Sequence, residues 1–161
     1  MSGLRTFLAL ISVVLLSGCS SQLQRDTVIN AAPGTVWDVM SAFEQYPQWN
    51  PYHVYVEGRL EVGETLAVDV ERPNGSTLTI QPTITKVVPG KEFVWESGSW
   101  WTLARRYSVR VVDVGRGRTR LLLRESFSGL AAPFTHLRAI GPGYKLINLA
   151  AQARAEAVTT P

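Results

Sequence analysis

The sequence predicts a single α+β domain in which an antiparallel sheet packs against a long C-terminal helix. Apolar residues recur with helical spacing in two stretches, one early in the domain and one near the C-terminus. Between these stretches, apolar and polar residues alternate in short runs that are separated by turn residues. Helices that are segregated from a run of strands in this way are typical of α+β domains.

The domain is expected to open with a short strand at Thr27–Asn30 and a helix that starts near Pro33. Proline suits the first turn of a helix, where its missing N–H costs nothing. We expect this helix to end at Tyr46, because a residue that precedes a proline avoids the α region. The predicted buried face of the helix comprises Val36, Val39, Met40 and Phe43.

Alternation with a period of two predicts the strands. Leu66–Val70 forms a half-buried strand on this criterion, and Pro73–Ser76 contains an Asn-Gly pair of the kind that hairpin turns require. A return strand is expected over Leu78–Ile84, with Pro82 at a bulge or an edge. Further strands are predicted at Phe93–Trp95, Ala104–Val114 and Thr119–Ser128.

The C-terminal region is predicted to be helical again. Gly141–Gly143 carries a central proline and is expected to break any helix that starts earlier. The main helix is therefore predicted to run from Tyr144 to Ala157. Its predicted apolar stripe is Leu146, Ile147, Ala150, Ala153 and Ala157.

The N-terminal residues resemble an export signal. Arg5 is followed by the apolar run Phe7–Leu16 and by the small residues Ser17 and Gly18, which are the parts of a secretory signal. A membrane-spanning helix needs about 20 apolar residues, so this shorter run is not expected to remain as a span. The only cysteine of the chain, Cys19, follows directly.

Leu16–Cys19 resembles the lipobox of bacterial lipoproteins. This resemblance implies cleavage before Cys19 and a thioether-linked diacylglycerol on its sulfur; the alternative is an ordinary secretory signal with an incidental cysteine. We therefore expect a signal peptide at 1–18, a lipidated tether at 19–26 and a folded domain at 27–158. Ser20 resembles the sorting residue of outer-membrane lipoproteins, which implies the periplasmic side of that membrane in a Gram-negative envelope.

Charge and composition exclude several kinds of function. Without Arg5 the chain has fifteen basic and thirteen acidic residues, so it is close to neutral, and we expect no nucleic-acid partner. The two histidines, His53 and His136, are far apart and have no ligand-spaced neighbours, so we expect no metal. No serine-nucleophile elbow or glycine-rich phosphate loop occurs, and no cofactor is expected.

Several short motifs carry a resemblance to one protein superfamily. They are Ala32–Pro33, Val36–Trp37, Trp49–Pro51, Val88–Trp95 and Glu125–Gly129. Their order and spacing are similar to those of the START-like (SRPBCC) superfamily, which includes polyketide cyclase/dehydrase and lipid-transport proteins. The resemblance implies a helix-grip fold, in which a curved antiparallel sheet wraps a long C-terminal helix around an apolar cavity. Relatives often have histidine where this chain has Tyr107, so chemistry based on that position does not transfer directly.

Glu125 is the carboxylate of most interest, because strand alternation directs it to the apolar side, near Tyr107. These two residues are the candidate acid–base pair of an enzyme. The alternative roles of Glu125 are a polar anchor for a ligand, a structural hydrogen bond to the loop near Trp49–Asn50, or a place at the open rim of the cavity. The candidate ligand-binding residues are Trp49, Trp95, Trp100, Trp101, Tyr107, Leu123, Glu125, Phe127 and Ile147.

Two surface features are predicted. Trp100 and Trp101 cannot both point inward from one strand, so at least one is expected to be exposed or to cap the cavity mouth, where it would gate a ligand or meet a membrane. The hairpin from Arg105 to Arg124 is rich in arginine, with Arg110, Arg120 and Arg124 on its outward face. This face is either simply solvated or in contact with anionic lipid head groups.

Together these features predict a membrane-anchored module that binds a hydrophobic small molecule or lipid in the cell envelope. One alternative is a cyclase or dehydratase that acts on an apolar substrate. Another is an envelope interaction protein whose cavity is filled by its own side chains.

Overall fold

The structure of the chain is a computed structural model that describes residues 20–72, 75–135 and 137–159. The predicted signal peptide and Cys19 lie outside these residues. In the described ranges the elements are β1 (Ser20–Ile29), α1 (Pro33–Ser41), α2 (Tyr46–Trp49), β2 (His53–Glu57), β3 (Ala67–Glu71), β4 (Thr77–Ile80), β5 (Thr83–Val88), β6 (Glu92–Ser99), β7 (Leu103–Gly115), β8 (Arg118–Ser128) and α3 (Leu137–Thr159). Short 3₁₀ turns lie at Phe43–Gln45 and Ala132–Phe134.

The strands form two antiparallel sheets that continue into each other. One has the order β1-β8-β7-β6-β5 and the other has the order β2-β3-β4. Where they meet, the backbone N–H of Leu66 donates to the carbonyl of Pro82 and that of Ile84 donates to the carbonyl of Glu64, both at 2.8 Å. The curved antiparallel sheet and the 23-residue C-terminal helix confirm the predicted α+β, helix-grip fold class.

The first strand is much longer than the sequence predicted. Ser20–Asp26, expected to be a tether, belongs to β1, which pairs with β8 from Ser20 opposite Ser128 to Ile29 opposite Thr119. Leu23 is the only apolar residue in this stretch, so the alternation that normally marks a strand is almost absent. Backbone hydrogen bonds to β8, rather than an apolar face, hold these residues in the sheet.

The predicted return strand is two strands in two different sheets. β4 and β5 are separated at Pro82, which is buried where the chain passes between the sheets. A proline cannot donate to a strand ladder, so the break falls at this residue. The predicted hairpin is confirmed by the antiparallel pairing of β3 with β4, for example Val70 opposite Leu78. Its turn residues Pro73 and Asn74 lie outside the described residues.

The N-terminal helix follows the prediction in its buried face but not in its end. Val36, Val39 and Met40 are buried in α1, which stops at Ser41. Tyr46 then begins the short helix α2, because the following proline occupies the first turn, where a missing N–H is tolerated. The Tyr46 hydroxyl donates to the carbonyl of Met40 at 2.7 Å and ties the two helices together.

The C-terminal helix is not broken at Gly141–Gly143, contrary to the prediction. α3 begins at Leu137, so Pro142 lies in its second turn and removes only one hydrogen bond, that to the carbonyl four residues earlier. Gly143 allows α3 to approach closely, since a Cβ atom there would lie 2.3 Å from the ring of Tyr52. The buried residues of α3 are Gly141, Gly143, Tyr144, Ile147, Asn148, Ala151 and Ala155.

The apolar stripe of α3 is therefore displaced from the predicted one. Of the predicted stripe only Ile147 is buried, whereas Leu146 is 48% exposed. The helix turns two residues with polar groups, Tyr144 and Asn148, toward the sheet. A pattern based on hydrophobicity alone cannot foresee this rotation, which brings hydrogen-bonding groups into the interior. Within the described residues, no helix is long and apolar enough to cross a membrane.

Candidate ligand-binding site

An apolar cavity of about 610 Å³ lies between the start of α3 and the ends of β7 and β8 that adjoin it. This volume is in the range of small-molecule sites, about 300–1,000 Å³. Its polar groups belong to four side chains, Tyr52, Arg72, Arg105 and Thr135. The apolar lining residues are Val70, Leu78, Leu103, Phe127, Ala131, Phe134, Ala139 and Ile140.

Glu125 lies in β8 directly opposite Tyr107 of β7, as predicted, and it is 3% exposed. Its Oε1 atom accepts hydrogen bonds from Nε and Nη2 of Arg105, at 3.1 and 2.8 Å. Its Oε2 atom accepts one from the hydroxyl of Tyr144 in α3, at 2.7 Å. The partners are thus Arg105 and Tyr144 and not the loop near Trp49. Both carboxylate oxygens are engaged, and Glu125 itself is not among the residues that line the cavity.

Arg105 forms the floor of the cavity. Its side chain is 23% exposed, and its guanidinium lies over the ring of Phe127, with 5.5 Å from Cζ to the ring centre. Burial lowers the pKa of Arg105, but the carboxylate of Glu125 more than offsets this, so the pKa is raised and the group stays charged. From the sequence, Arg105 was noted only as one of the arginines of the β7–β8 hairpin, with no predicted face. Its alternation with Tyr107 and Val109, both buried, was the signal that places it inside.

His53 was considered only as a metal ligand, yet it lies at the centre of the interior. Its ring centre is 5.4 Å from that of Trp95 and 5.3 Å from that of Tyr107. Burial lowers the pKa of His53 to about 3, with a further contribution from Arg105, so the imidazole is neutral at pH 7. Its Nδ1 atom and the hydroxyl of Tyr107 have no hydrogen-bond partner among the described residues.

Aromatic rings fill the space between the sheet and the middle of α3. Tyr107 stacks on Trp95 with 4.6 Å between ring centres, and the ring of Tyr144 lies 5.7 Å from that of Tyr107. Burial raises the pKa values of Tyr107 and Tyr144, so both hydroxyls keep their protons. The interior is thus packed at this level, and the cavity is confined to the end of the sheet where α3 begins.

The predicted ligand-binding residues occupy three different places. Phe127 lines the cavity. Trp100 and Trp101, in the turn between β6 and β7, are 82% and 59% exposed, so both point outward. The remaining predicted residues are not brought to the cavity wall; Trp49 is half-buried, and Trp95, Tyr107, Leu123, Glu125 and Ile147 are buried.

The arginines of the outward face are largely paired along the sheet. Arg110 donates to Glu92 at 3.2 Å, Arg124 donates to Gln24 at 2.7 Å and Arg106 contacts Glu96. Exposed pairs of this kind stabilise a fold by only about 0–1 kcal/mol each. The geometry is that of a solvated sheet face. Within the described ranges, no three His, Cys, Asp or Glu side chains are grouped as metal ligands.

Replacing Arg105 by methionine is expected to lower the free energy of unfolding by about 3 kcal/mol, because it leaves the buried Glu125 carboxylate without its cation. The double variant Arg105→Met/Glu125→Gln is expected to recover at least half of this loss, since glutamine can still accept from Tyr144. The measurement is urea unfolding at pH 7. Arg106→Met, which breaks only an exposed pair, is the matched control. Equal losses in Arg105→Met and Arg106→Met would contradict the assignment.

The neutral, buried His53 predicts a pH dependence of stability. The pKa is about 3 in the folded chain and 6.5 in the unfolded chain, so the unfolded chain binds more protons between these values and stability falls as the pH falls through this window. From pH 6.5 to 5 the expected loss is about 1.5 kcal/mol. His53→Phe should abolish this slope in urea titrations, whereas His136→Gln should retain it. A slope that survives in His53→Phe would assign it to other groups.

Comparisons with solved structures agree with the fold. The Zhui aromatase/cyclase from Streptomyces sp. R1128 is 15% identical and has a TM-score of 0.74, over 88% of this chain and 97% of that one. Norcoclaurine synthase from Thalictrum flavum is 15% identical, with a TM-score of 0.64, over 91% and 90%. A Staphylococcus aureus protein of unknown function is 14% identical, with a TM-score of 0.68, over 89% and 98%. At these identities the likeness shows the fold alone.

No curated protein matches the chain significantly. The sequence profile of a family described as polyketide cyclase/dehydrase and lipid transport matches residues 21–154, which span β1 from its second residue to β8 and most of α3. The match agrees with the superfamily that the short motifs indicated, and it supports a role in binding or cyclising a hydrophobic molecule. The chain belongs to the polyketide cyclase/dehydrase and lipid-transport family.

Proposed function

We propose that this protein is a membrane-anchored module that binds a hydrophobic small molecule or lipid in the cell envelope. The observation that carries the proposal is the cavity of about 610 Å³, which is mostly apolar and has the Arg105 guanidinium at its floor. An apolar cavity with a few polar groups is the usual form of a small-molecule site. The family description, which includes lipid transport, supports the same class of ligand.

The polar groups of the cavity favour a ligand that carries a hydrogen-bond acceptor. Arg105 has donors only, and Glu125 balances its charge. Tyr52 also borders the cavity; burial, then the negative charge of Glu125, raises its pKa to about 12, so its hydroxyl retains a proton that it can donate. Arg72 lines the cavity as well and adds further donors, so a carbonyl or hydroxyl oxygen on an otherwise apolar molecule would find partners at this wall.

Attachment to the membrane is proposed through a lipid on Cys19. The support is the lipobox-like Leu16–Cys19 after a short apolar run, together with small residues at the expected cleavage point. Two or more acyl chains anchor a protein stably, whereas one chain binds only marginally. With Ser20 as the following residue, we propose that the protein faces the periplasm from the outer membrane of a Gram-negative envelope.

Enzymatic cyclisation or dehydration is the second candidate function. The structural neighbours that are named as an aromatase/cyclase and as norcoclaurine synthase raise this possibility, and the proton-bearing Tyr52 at the cavity wall favours it. The geometry gives less support to the predicted pair: Glu125 has both oxygens engaged, and the Tyr107 hydroxyl is buried below the floor. An enzyme would instead use Tyr52 as its proton donor.

Filling the cavity is expected to remove ligand binding. Ala139 lines the cavity from α3 at a solvent-accessible position, so Ala139→Trp adds an indole at the cavity wall, whereas Ala157→Trp adds the same group at an exposed position near the other end of the helix, outside the cavity. Native mass spectrometry of the full chain, released from membranes in mild detergent, should show an apolar mass bound to the wild type and to Ala157→Trp. We expect at least a tenfold lower occupancy in Ala139→Trp. A wild type that takes up nothing from a lipid extract would refute the proposal.

Lipid attachment predicts that metabolically supplied fatty acid labels the full chain at Cys19. The label and the membrane association are expected in the wild type, and both should be lost in Cys19→Ala, because the thiol is the group that accepts the diacylglycerol. Ser17→Ala preserves a small residue before the cysteine and should still be labelled. A processed wild type that carries no fatty acid would establish an ordinary secretory signal instead.

A further inference from the structure

Four large apolar side chains are exposed together at one end of the large sheet. Trp100, Trp101, Leu130 and Phe134 have 82%, 59%, 79% and 77% of their surface exposed, and we call them the apolar rim. Two come from the turn between β6 and β7, and two come from the segment that follows β8. These segments are joined by a backbone hydrogen bond from Ala131 to the carbonyl of Thr102 at 2.8 Å. Clustered apolar exposure of this kind marks an interaction surface.

The chain enters the fold at this same end. Ser20 pairs with Ser128, which also pairs with Ala104, and these residues immediately adjoin the two segments of the rim. The Ser21 hydroxyl donates to the carbonyl of Ala132 at 3.2 Å, within the 3₁₀ turn that ends at Phe134. Cys19 directly precedes Ser20 in the sequence, so no residue lies between it and the first residue of β1.

The absence of a tether restricts how an anchored domain can sit. If residues 20–26 were extended and free, the domain could turn any face to the membrane; because they are fixed in β1, the lipid on Cys19 must leave the fold beside the rim. The arginine-rich tip at Arg116 and Arg118 is at the other end of the β7–β8 hairpin, about 30 Å away along nine residues of strand. That tip therefore points away from a bilayer to which Cys19 is attached.

The rim has the chemistry of a membrane interface. Tryptophan combines a large apolar ring with an N–H donor, which suits the border between acyl chains and head groups. Leu130 and Phe134 add apolar surface, and their side chains carry no polar group that would lose its hydration in a bilayer. Phe134 also lines the cavity, and so does Ala131, the neighbour of Leu130 in the sequence. The apolar rim therefore lies along one side of the cavity mouth.

We propose that the apolar rim enters the lipid bilayer and turns the mouth of the cavity toward it. This inference rests on the proposed lipid attachment at Cys19 and specifies where the ligand comes from. A hydrophobic molecule then moves between the acyl chains and the cavity past Phe134 without crossing water. The occupant of the surface is a lipid bilayer; a protein partner at the rim is an outcome of the test that overturns the proposal.

The test uses the full lipidated chain in phosphatidylcholine vesicles whose acyl chains carry bromine, a quencher of tryptophan fluorescence. Only protein that floats with the vesicles is measured. Two of the five tryptophans belong to the rim, so we expect a loss of up to two fifths of the emission relative to unbrominated vesicles. Trp100→Phe/Trp101→Phe should abolish the quenching, while Trp49→Phe, a half-buried residue outside the rim, should retain it.

Floated wild type that is not quenched by bromine and remains open to aqueous acrylamide would overturn the proposal, since the rim would then face water or another protein. Quenching that persists in Trp100→Phe/Trp101→Phe would also overturn it. The result is independent of ligand binding, which is measured by mass spectrometry in detergent. Quenching by bromine together with an empty cavity would support the membrane-docking surface and refute ligand binding. A bound ligand without quenching would support ligand binding and refute the docking surface.

Discussion

The ion pair between Arg105 and Glu125, completed by the Tyr144 hydroxyl, is the constraint on which the interior of this protein depends. It joins β7, β8 and α3 at one level, and each charged group has its partner, so the cost of burying them is met. Below it, the rings around His53 fill the space between sheet and helix. On the other side of the ion pair lies the cavity, which is lined mainly by apolar side chains. The pair is thus both a structural clamp and the polar floor of the site.

The pairing of β1 with β8 has a comparable consequence at the surface. A strand that begins at Ser20 leaves no free chain between Cys19 and the sheet, so the position of the N-terminus determines which end of the domain a lipid anchor would hold at the membrane. Exposed tryptophans and the cavity mouth occupy that same end. The register of one strand pair thus brings the start of β1, the apolar rim and the cavity to the same end of the domain.

The sequence was most informative where burial follows a simple period. The strands β7 and β8 were predicted within one residue at each end, and the buried face of α1 was predicted correctly, because apolar residues dominate the alternating or repeating positions of these elements. The failures occurred where polar groups lie inside or apolar groups outside. Polar residues 20–26 concealed the start of β1, and Tyr144 and Asn148 rotated the stripe of α3. Arg105 received no predicted role, although its alternation with Tyr107 and Val109 directs it to the inward face of β7.

Polar groups that lie in the interior also made function harder to predict than fold. The superfamily resemblance implies that many relatives carry a histidine at the position of Tyr107. In this chain the imidazole of His53, in β2, lies against the rings of Tyr107 and Trp95 instead. Burial lowers the pKa of His53 and keeps this imidazole neutral. A titratable group that is sealed from the cavity stabilises the fold more readily than it transfers a proton to a ligand. Four polar side chains reach the cavity: Tyr52, Arg72, Arg105 and Thr135. Of these, Tyr52 and Arg105 hold their protons at neutral pH and can act as donors. Donors on an otherwise apolar wall can orient and retain an acceptor-bearing apolar molecule, which is the reason for proposing ligand binding as the function.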